Sequence, residues 1–341
     1  MARATIEDVA DAAGVSVATV DRVLNGRAAV RPKTVERVEK AIRLLNYQSD
    51  RLAARLARAK EYRFCFILPE GSNAYMTLLA DAVREEALRM AQEKVVIDLR
   101  HTDVFSAEVL GQTLDQISGL YDGVAAVALD HPRVRESINA LCERGVAVVT
   151  LVSDVPGSRR THYVGIDNAA AGRTAATLMG RYLAGRRGKV GLIAGSLSLR
   201  DHVERQFGFE QVMLHEYSGL TLLPVREGRD DWQIVQGVAA QLLHDHPDLI
   251  GLYNVGAGTR GIVAALEAAG RQRKVVYIAH ELTDESRRAL IDGTIDIVIN
   301  QDAGHEVRSA IRVLMSRADR SPIVEAMERI RIDIYVRDNI P

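Results

Sequence analysis

The chain has 341 residues, 47% hydrophobic and 26% charged, with a formal net charge of −1. The length exceeds one ordinary domain of ~100–200 residues, and the composition excludes a disordered or fibrous chain. The balance is uneven: residues 1–63 hold 13 Lys/Arg against 8 Asp/Glu, and the remaining residues hold 31 against 37, so a basic head on an acidic body points to contact of the head with a polyanion.

The first element is a helix capped by Thr5, with Asp8 three residues on as a partial capping box and Ile6, Val9, Ala10 and Ala13 on one face. Gly14 ends it where positive φ is cheap. Ser16 caps a second helix with Val20, Val23 and Leu24 turned inward, stopped by Asn25-Gly26. Pro32 opens a third, with Val35, Val38, Ala41, Ile42 and Leu45 as its buried stripe. Three short helices on one small core predict a helix-turn-helix. In that layout the second helix enters the DNA major groove, led by its N-terminal residues. Val17, Ala18 and Arg22 are then the base readers: Arg22 can bond guanine, and Val17 and Ala18 can pack on thymine methyls. Ser16, Thr19 and Asn25 suit phosphates, and Thr5 joins the expected DNA-contacting set.

The string Ile6-Glu7-Asp8-Val9-Ala10, Ala13-Gly14-Val15-Ser16, Thr19-Val20 and Arg22-Val23-Leu24-Asn25 resembles the N-terminal signature of the lactose-repressor (LacI/GalR) family. So does Val30, Thr34, Arg37-Val38, Ala41-Ile42 and Leu45-Asn46-Tyr47. One departure is Asp21, where the family usually has Ser. The resemblance implies a head over residues 1–48 and a hinge helix at 49–61, where Leu52, Ala53, Ala54, Leu56 and Ala57 match its pattern. A short, Ala-rich, charged segment is marginal as an isolated helix, so its folding would wait for DNA. Leu56 is then expected to wedge a minor-groove step.

From Arg63 the pattern becomes strand and helix in alternation. Apolar runs at Arg63–Pro69, Lys94–Arg100, Gly123–Leu129, Val146–Val152, Tyr163–Ile166, Lys189–Ala194, Leu220–Val225, Leu249–Asn254, Val275–His280 and Asp296–Asn300 predict ten strands. Helical stretches such as Leu78–Gln92 and Val134–Arg144 lie between most of them. This alternation predicts parallel sheets covered by helices, best divided into two doubly wound, Rossmann-like lobes with a ligand cleft at the carboxyl ends of the strands.

The body resembles the periplasmic sugar-binding fold, especially its ribose-binding branch. Val164-Gly165-Ile166-Asp167-Asn168 with Gly172 matches one crossover between lobes, and Asn300-Gln301-Asp302 matches the other. The expected effector and dimerisation body is 62–341, with one lobe at about 62–166 and 299–322 and the second at about 167–298 and 323–341. Matching strand ends gives the expected ligand-binding set: Asn73, Tyr75, Ser153, Asp154, Arg205, Trp232, Asn254, His280 and Gln301. A sugar site needs such a mixture of a flat apolar ring and forked donors and acceptors. The sugar-binding family often has Asp where this chain has Val152, His280 and Val255, and with Arg205 and His280 in the set an acidic or phosphorylated sugar is expected.

Cys65 and Cys142 are far apart, with no spacing that suggests a metal or redox site. No ~18-residue apolar run or secretion signal is present, so a cytoplasmic location is expected, with no membrane partner. No GxSxG, HExxH or P-loop pattern occurs. Gly256-Ala257-Gly258-Thr259-Arg260-Gly261 mimics a dinucleotide fingerprint, yet ~20 residues on, where that motif expects an acid, stands Val276. It is read as a strand-to-helix turn. The combined expectation is a ligand-responsive repressor of carbohydrate genes: a homodimer on palindromic operator DNA, with a sugar-like effector, no cofactor, no metal and no catalysis. The alternative is a sugar-binding module or NAD-linked enzyme with a vestigial head.

Overall fold

The computed structural model describes residues 4–24, 30–45, 47 and 61–341. Asn25, Leu56 and the expected hinge segment 49–60 lie outside the described residues. The chain forms two compact units, Met1–Glu61 and Tyr62–Pro341.

The head contains α1 (Ile6–Ala13), α2 (Val17–Leu24) and α3 (Pro32–Leu44). Thr5 and Asp8 form a complete capping box, and Gly14 closes α1 at φ +60°. Val9, Ala10, Ala13, Val20, Val38 and Ala41 make the core, with Ile6, Val15, Val23, Ile42, Leu45 and Tyr47 packed on it. Leu24 corrects one expectation, being 38% exposed rather than inward. It is the last residue of α2, a turn beyond buried Val20. Arg37 of α3 locks the turn: its Nε and Nη2 donate to Ala13 O at 3.1 and 2.7 Å, and Nη2 donates to Gly14 O at 2.9 Å. A cation on the orphan carbonyls of a helix C-terminus is favourable in charge and in hydrogen bonding.

The body holds two sheets. The first, in order β2-β1-β3-β4-β5, uses β1 (Tyr62–Pro69), β2 (Val95–Thr102), β3 (Gly123–Ala126), β4 (Ala147–Leu151) and β5 (His162–Val164), all parallel. The second, in order β12-β11-β10-β9-β6-β7, uses β6 (Gly188–Ala194), β7 (Leu220–Leu222), β9 (Leu249–Asn254), β10 (Val276–His280), β11 (Ile297–Asn300) and antiparallel β12 (Asp333–Tyr335), with β8 (Arg226–Glu227) also beside β6. The two sheets repeat one winding, β1 through β5 corresponding to β6, β7, β9, β10 and β11. The ten expected strands are all present. β8 and β12 are additional strands of two and three residues that the apolar runs do not predict. Helices α4 (Ala74–Met90), α5 (Ala107–Gln116) and α6 (Pro132–Glu143) serve the first sheet. Helices α7 (Asn168–Tyr182), α8 (Arg200–Glu216), α9 (Trp232–Asp245), α10 (Thr259–Ala268) and α11 (Asp284–Asp292) serve the second. After β11 the chain returns to the first sheet as α12 (Ala303–Ala318), packed on α4, β3, β4 and β5, and after α13 (Glu325–Glu328) it crosses back to form β12.

Burial on both faces explains why these strands are apolar without alternation: β4 is wholly buried, and β1 has one exposed position. Two helix pairs meet almost backbone to backbone. A Cβ on Gly172 of α7 would lie 2.0 Å from Arg205 O of α8, and one on Gly261 of α10 would lie 2.1 Å from Trp232 O of α9. These contacts bring Arg205 and Trp232 to the sheet edge. Gly172→Ala is therefore expected to destabilise the body by about 1–3 kcal/mol, as overpacking does, and to move Arg205. Urea denaturation checks the first effect, and loss of ligand-induced thermal stabilisation checks the second.

Candidate functional site

The carboxyl ends of both sheets face a cavity of about 320 Å³, at the low end of the range for small-molecule sites. The first lobe contributes Asn73 and Tyr75 from the start of α4, Phe105 after β2, and Val152 and Ser153 after β4. From the second come Asp201, His202 and Arg205 of α8, Asp230 and Trp232 before and at the start of α9, the 256–260 turn, and His280 and Glu281 at the end of β10. Gln301 lies at the crossover between them. Arg260 places its guanidinium 4.1 Å from the Trp232 ring centroid, a cation–π contact.

Arg205 is 2% exposed. Its Nε donates to Asn168 Oδ1 at 2.8 Å and Nη1 to Val255 O at 2.9 Å; Nη2 lies 3.8 Å from Glu281 and has no hydrogen-bond partner. Ser153 Oγ, Asp201 Oδ1, His280 Nδ1 and Gln301 Oε1 are likewise buried without a protein partner. Buried polar groups are ordinarily paired, and each unpaired one costs about 1–3 kcal/mol; Asn254 Oδ1, Tyr277 Oη and Glu306 Oε1 are three more without a partner. Five in one cavity wall make a surface built for a polar ligand.

Electrostatics follow from burial. Burial pushes the Glu281 carboxyl up to about 7, with Arg205 and the Gln301 amides pulling the other way. Gln301 Nε2 donates to Glu281 Oε1 at 2.9 Å. Behind it Glu306 is fully buried; burial and the neighbouring Glu281 hold its carboxyl well above the ordinary range, against the Tyr75 hydroxyl donated at 3.0 Å. Burial, then Arg205 and His202, hold the His280 imidazole well below its ordinary value, favouring the neutral ring. Its Nε2 is 2.7 Å from the Tyr253 hydroxyl. Strain gathers here too. Seven non-glycine residues among those described have positive φ, and Val152, Arg229, Asp230 and Glu281 line the cavity, as expected where function fixes the backbone. Val152 and Glu281 are equivalent, each following the fourth strand of its repeat.

The contacts across the cleft include two polar ones, beside the packing of Leu199 on the first lobe: Asn73 Nδ2 donates to Asp230 Oδ2 at 3.3 Å, and Arg200 Nη1 is 3.3 Å from Asp130 Oδ2.

Of the expected ligand-binding residues, Asn73, Tyr75, Ser153, Arg205, Trp232, His280 and Gln301 come together at the cavity. Two do not line it. Asp154 turns away to accept from Arg160, from Thr150 Oγ1 at 2.7 Å and from Val155 N at 2.8 Å. Asn254 is buried behind the 256–258 turn, donating to Ala257 O at 3.2 Å. Sequence reasoning missed Asp201, Asp230, Glu281 and Glu306. Glu281 carried a signal, since it follows a strand end already singled out. The charge also differs from expectation. Among the lining residues six carboxylates (Glu70, Asp201, Asp230, Asp231, Glu281, Glu285) face three guanidiniums (Arg205, Arg229, Arg260), the reverse of what an acidic sugar would need. The 256–261 glycines form a strand-to-helix turn, with Gly258 at φ +93° capping α10. Among the described residues no His/Cys/Asp/Glu group is placed to hold a metal ion, and no helix is long and apolar enough to cross a membrane. Both cysteines are free thiols, Cys65 buried and Cys142 half-buried.

In the head, Val17, Ala18 and Arg22 share an exposed surface of α2, with Val17 41% exposed. The Ser16 and Thr5 hydroxyls both cap helices, accepting from Thr19 N at 3.3 Å and Asp8 N at 3.2 Å, and Ser16 Oγ lies 2.9 Å from Thr19 Oγ1.

Residues 5–50 match the family of bacterial regulatory proteins, lacI family, and residues 64–321 match the periplasmic binding protein domain. The chain is 28% identical over 194 residues to catabolite control protein A of Streptococcus mutans, covering 57% of this chain and 55% of that protein. It is 30% identical over 162 residues to a D-ribose/D-allose-binding protein of Pseudomonas aeruginosa, covering 45% and 48%. The chain thus spans about half the length of these relatives. Among solved structures, the glucose-galactose binding protein GanP of Geobacillus stearothermophilus superposes with TM-score 0.74 at 22% identity, over 83% of this chain and 99% of that one. A Burkholderia graminis solute-binding protein in complex with D-arabinose gives 0.73 at 23%, over 82% and 97%. These likenesses establish the fold. The family matches point to a regulator or binding protein rather than an enzyme.

Glu281 links the site to pH. Its folded value of about 7 lies above the ordinary 4.5, so between those values the folded state keeps a proton that the unfolded state has lost, and stability falls as pH rises through that window. Glu281→Gln removes this titration. The stability of this variant relative to wild type is expected to rise by up to about 3 kcal/mol from pH 5 to pH 8, measured by urea denaturation at both values.

Proposed function

The chain belongs to the periplasmic binding protein domain family, and from that membership, joined to a lacI-family head, we propose that it is a DNA-binding transcription regulator of carbohydrate catabolism genes, acting as a repressor controlled by a sugar or sugar derivative. The observation that carries this is the cavity wall of unpartnered buried polar atoms in the same chain as a head with an exposed α2 face. A regulator of this kind works in the cytoplasm as a homodimer, whose paired heads meet half-sites about one helical turn apart on a palindromic operator. Val17, Ala18 and Arg22 read bases, while Ser16, Thr19 and Thr5 present backbone-contacting groups at helix N-termini. Arg205, His280, Gln301, Ser153 and Asn73 hold the effector's hydroxyls, with Trp232 as the apolar wall and Tyr75 supporting Glu306 beneath. The Asn73–Asp230 and Arg200–Asp130 contacts respond to any ligand that changes the angle between lobes, which couples occupancy to the head.

Arg22→Ala is expected to relax preference at one base pair and cost about 1–3 kcal/mol on the operator. Binding to unrelated duplex should change little. Fluorescence anisotropy on an operator and its single-base variants measures this, and a uniform loss on all sequences would count against base reading. By linkage, operator DNA must shift effector affinity by the same factor that effector shifts operator affinity, which calorimetry with and without operator tests.

A further inference from the structure

The unpartnered atoms of the cleft are unequal in kind. Asp201 Oδ1 and Gln301 Oε1 can only accept, Gln301 having committed its Nε2 to Glu281. Ser153 Oγ can do either, as can His280 Nδ1 according to its tautomer, and Arg205 Nη2 can only donate. The buried charges are unequal as well. Asp201 and Glu281, 4% and 8% exposed, face a single buried guanidinium, Arg205, while the His202 ring stands 3.6 Å from Asp201 Oδ2, the oxygen other than the unpartnered one. The other bases leave this imbalance in the buried wall, Arg229 standing exposed at the rim. His280 is held toward its neutral form, and Arg260 is engaged over Trp232 at the exposed mouth. Glu70 and Glu285 add negative charge at that mouth, a field that draws cations in. A buried carboxylate without a counter-charge is costly. A ligand ammonium offers three donors, no acceptor and one positive charge, which is what this wall lacks.

We infer that the effector is a small polyol bearing a protonated amine, of the amino-sugar class, with its ammonium paired to Asp201 and Glu281 and its hydroxyls shared among Arg205, Ser153 and Gln301. The inference rests on the sugar-responsive reading above and narrows it. It also places Asp201, on the first turn of α8, as the residue that selects a cationic ligand over a neutral one.

The test is calorimetry on the full-length chain with three matched pairs, glucose and glucosamine, galactose and galactosamine, mannose and mannosamine, plus glucuronate as the anionic control. At least one amine is expected to bind ten-fold or more tightly than its neutral partner, with glucuronate weakest. Asp201→Asn should reduce that amine preference at least ten-fold; the wild-type series stands alone if the variant does not fold. Equal or tighter binding of a neutral sugar or of glucuronate overturns the charge inference and leaves the sugar-responsive reading intact. Binding of none of the seven overturns the inference, and if a wider set of neutral sugars also fails to bind or to release operator DNA, the reading beneath it falls too.

Discussion

A guanidinium buried to 2% exposure is the constraint around which the body is arranged. Arg205 cannot shed its charge, so the fold must supply it with oxygen from several directions. Asn168 comes from the start of α7, just past the first crossover; Val255 O comes from the end of β9; Glu281 comes from the end of β10. One side chain therefore ties together three segments that are distant in sequence. Its position is set by Gly172, whose missing side chain lets α7 touch the backbone of α8 at Arg205 itself. The remaining nitrogen has no hydrogen-bond partner, and the proposed ligand site is in this sense the unfinished part of a structural network.

The left-handed backbone at Val152 and Glu281 shows how the duplicated winding was put to different uses. At the same point in each repeat the chain turns sharply off its fourth strand. In the first lobe the position carries an aliphatic side chain and leaves Ser153 to face the cavity; in the second it carries a carboxylate aimed at the crossover glutamine. Equivalent geometry with different chemistry makes the cleft polar on one wall and more apolar on the other.

Much of this was legible in the sequence. The capping residues of α1, the spacing of Val9, Ala13, Val20 and Val38, and the run of strand-length apolar segments dictate the elements directly. Arg205, Trp232, His280 and Gln301 could be found because strand ends and crossovers fix where a side chain sits along the sheet. They do not fix which way it points, and that is why Asp154 and Asn254, expected at the cavity, do not line it: the first is taken up by Arg160, and the second lies beneath a turn. Asp201, Asp230 and Glu306 escaped notice because an acid on a helix or before a helix start is ordinarily solvated. Only the packing reveals that Glu306 is enclosed and that Asp201 has an oxygen left over. The hinge helix and Asn25 lie outside the described residues, so the resemblance alone speaks for them.

The three passages between the sheets have a consequence for unfolding. The first lobe takes α12 from beyond the second lobe, and the second takes β12 from beyond α12. Neither lobe is a continuous stretch of chain, and no single cut separates the two lobes with each complete. Melting either sheet removes the anchor of a segment belonging to the other, so the body opens as one cooperative unit.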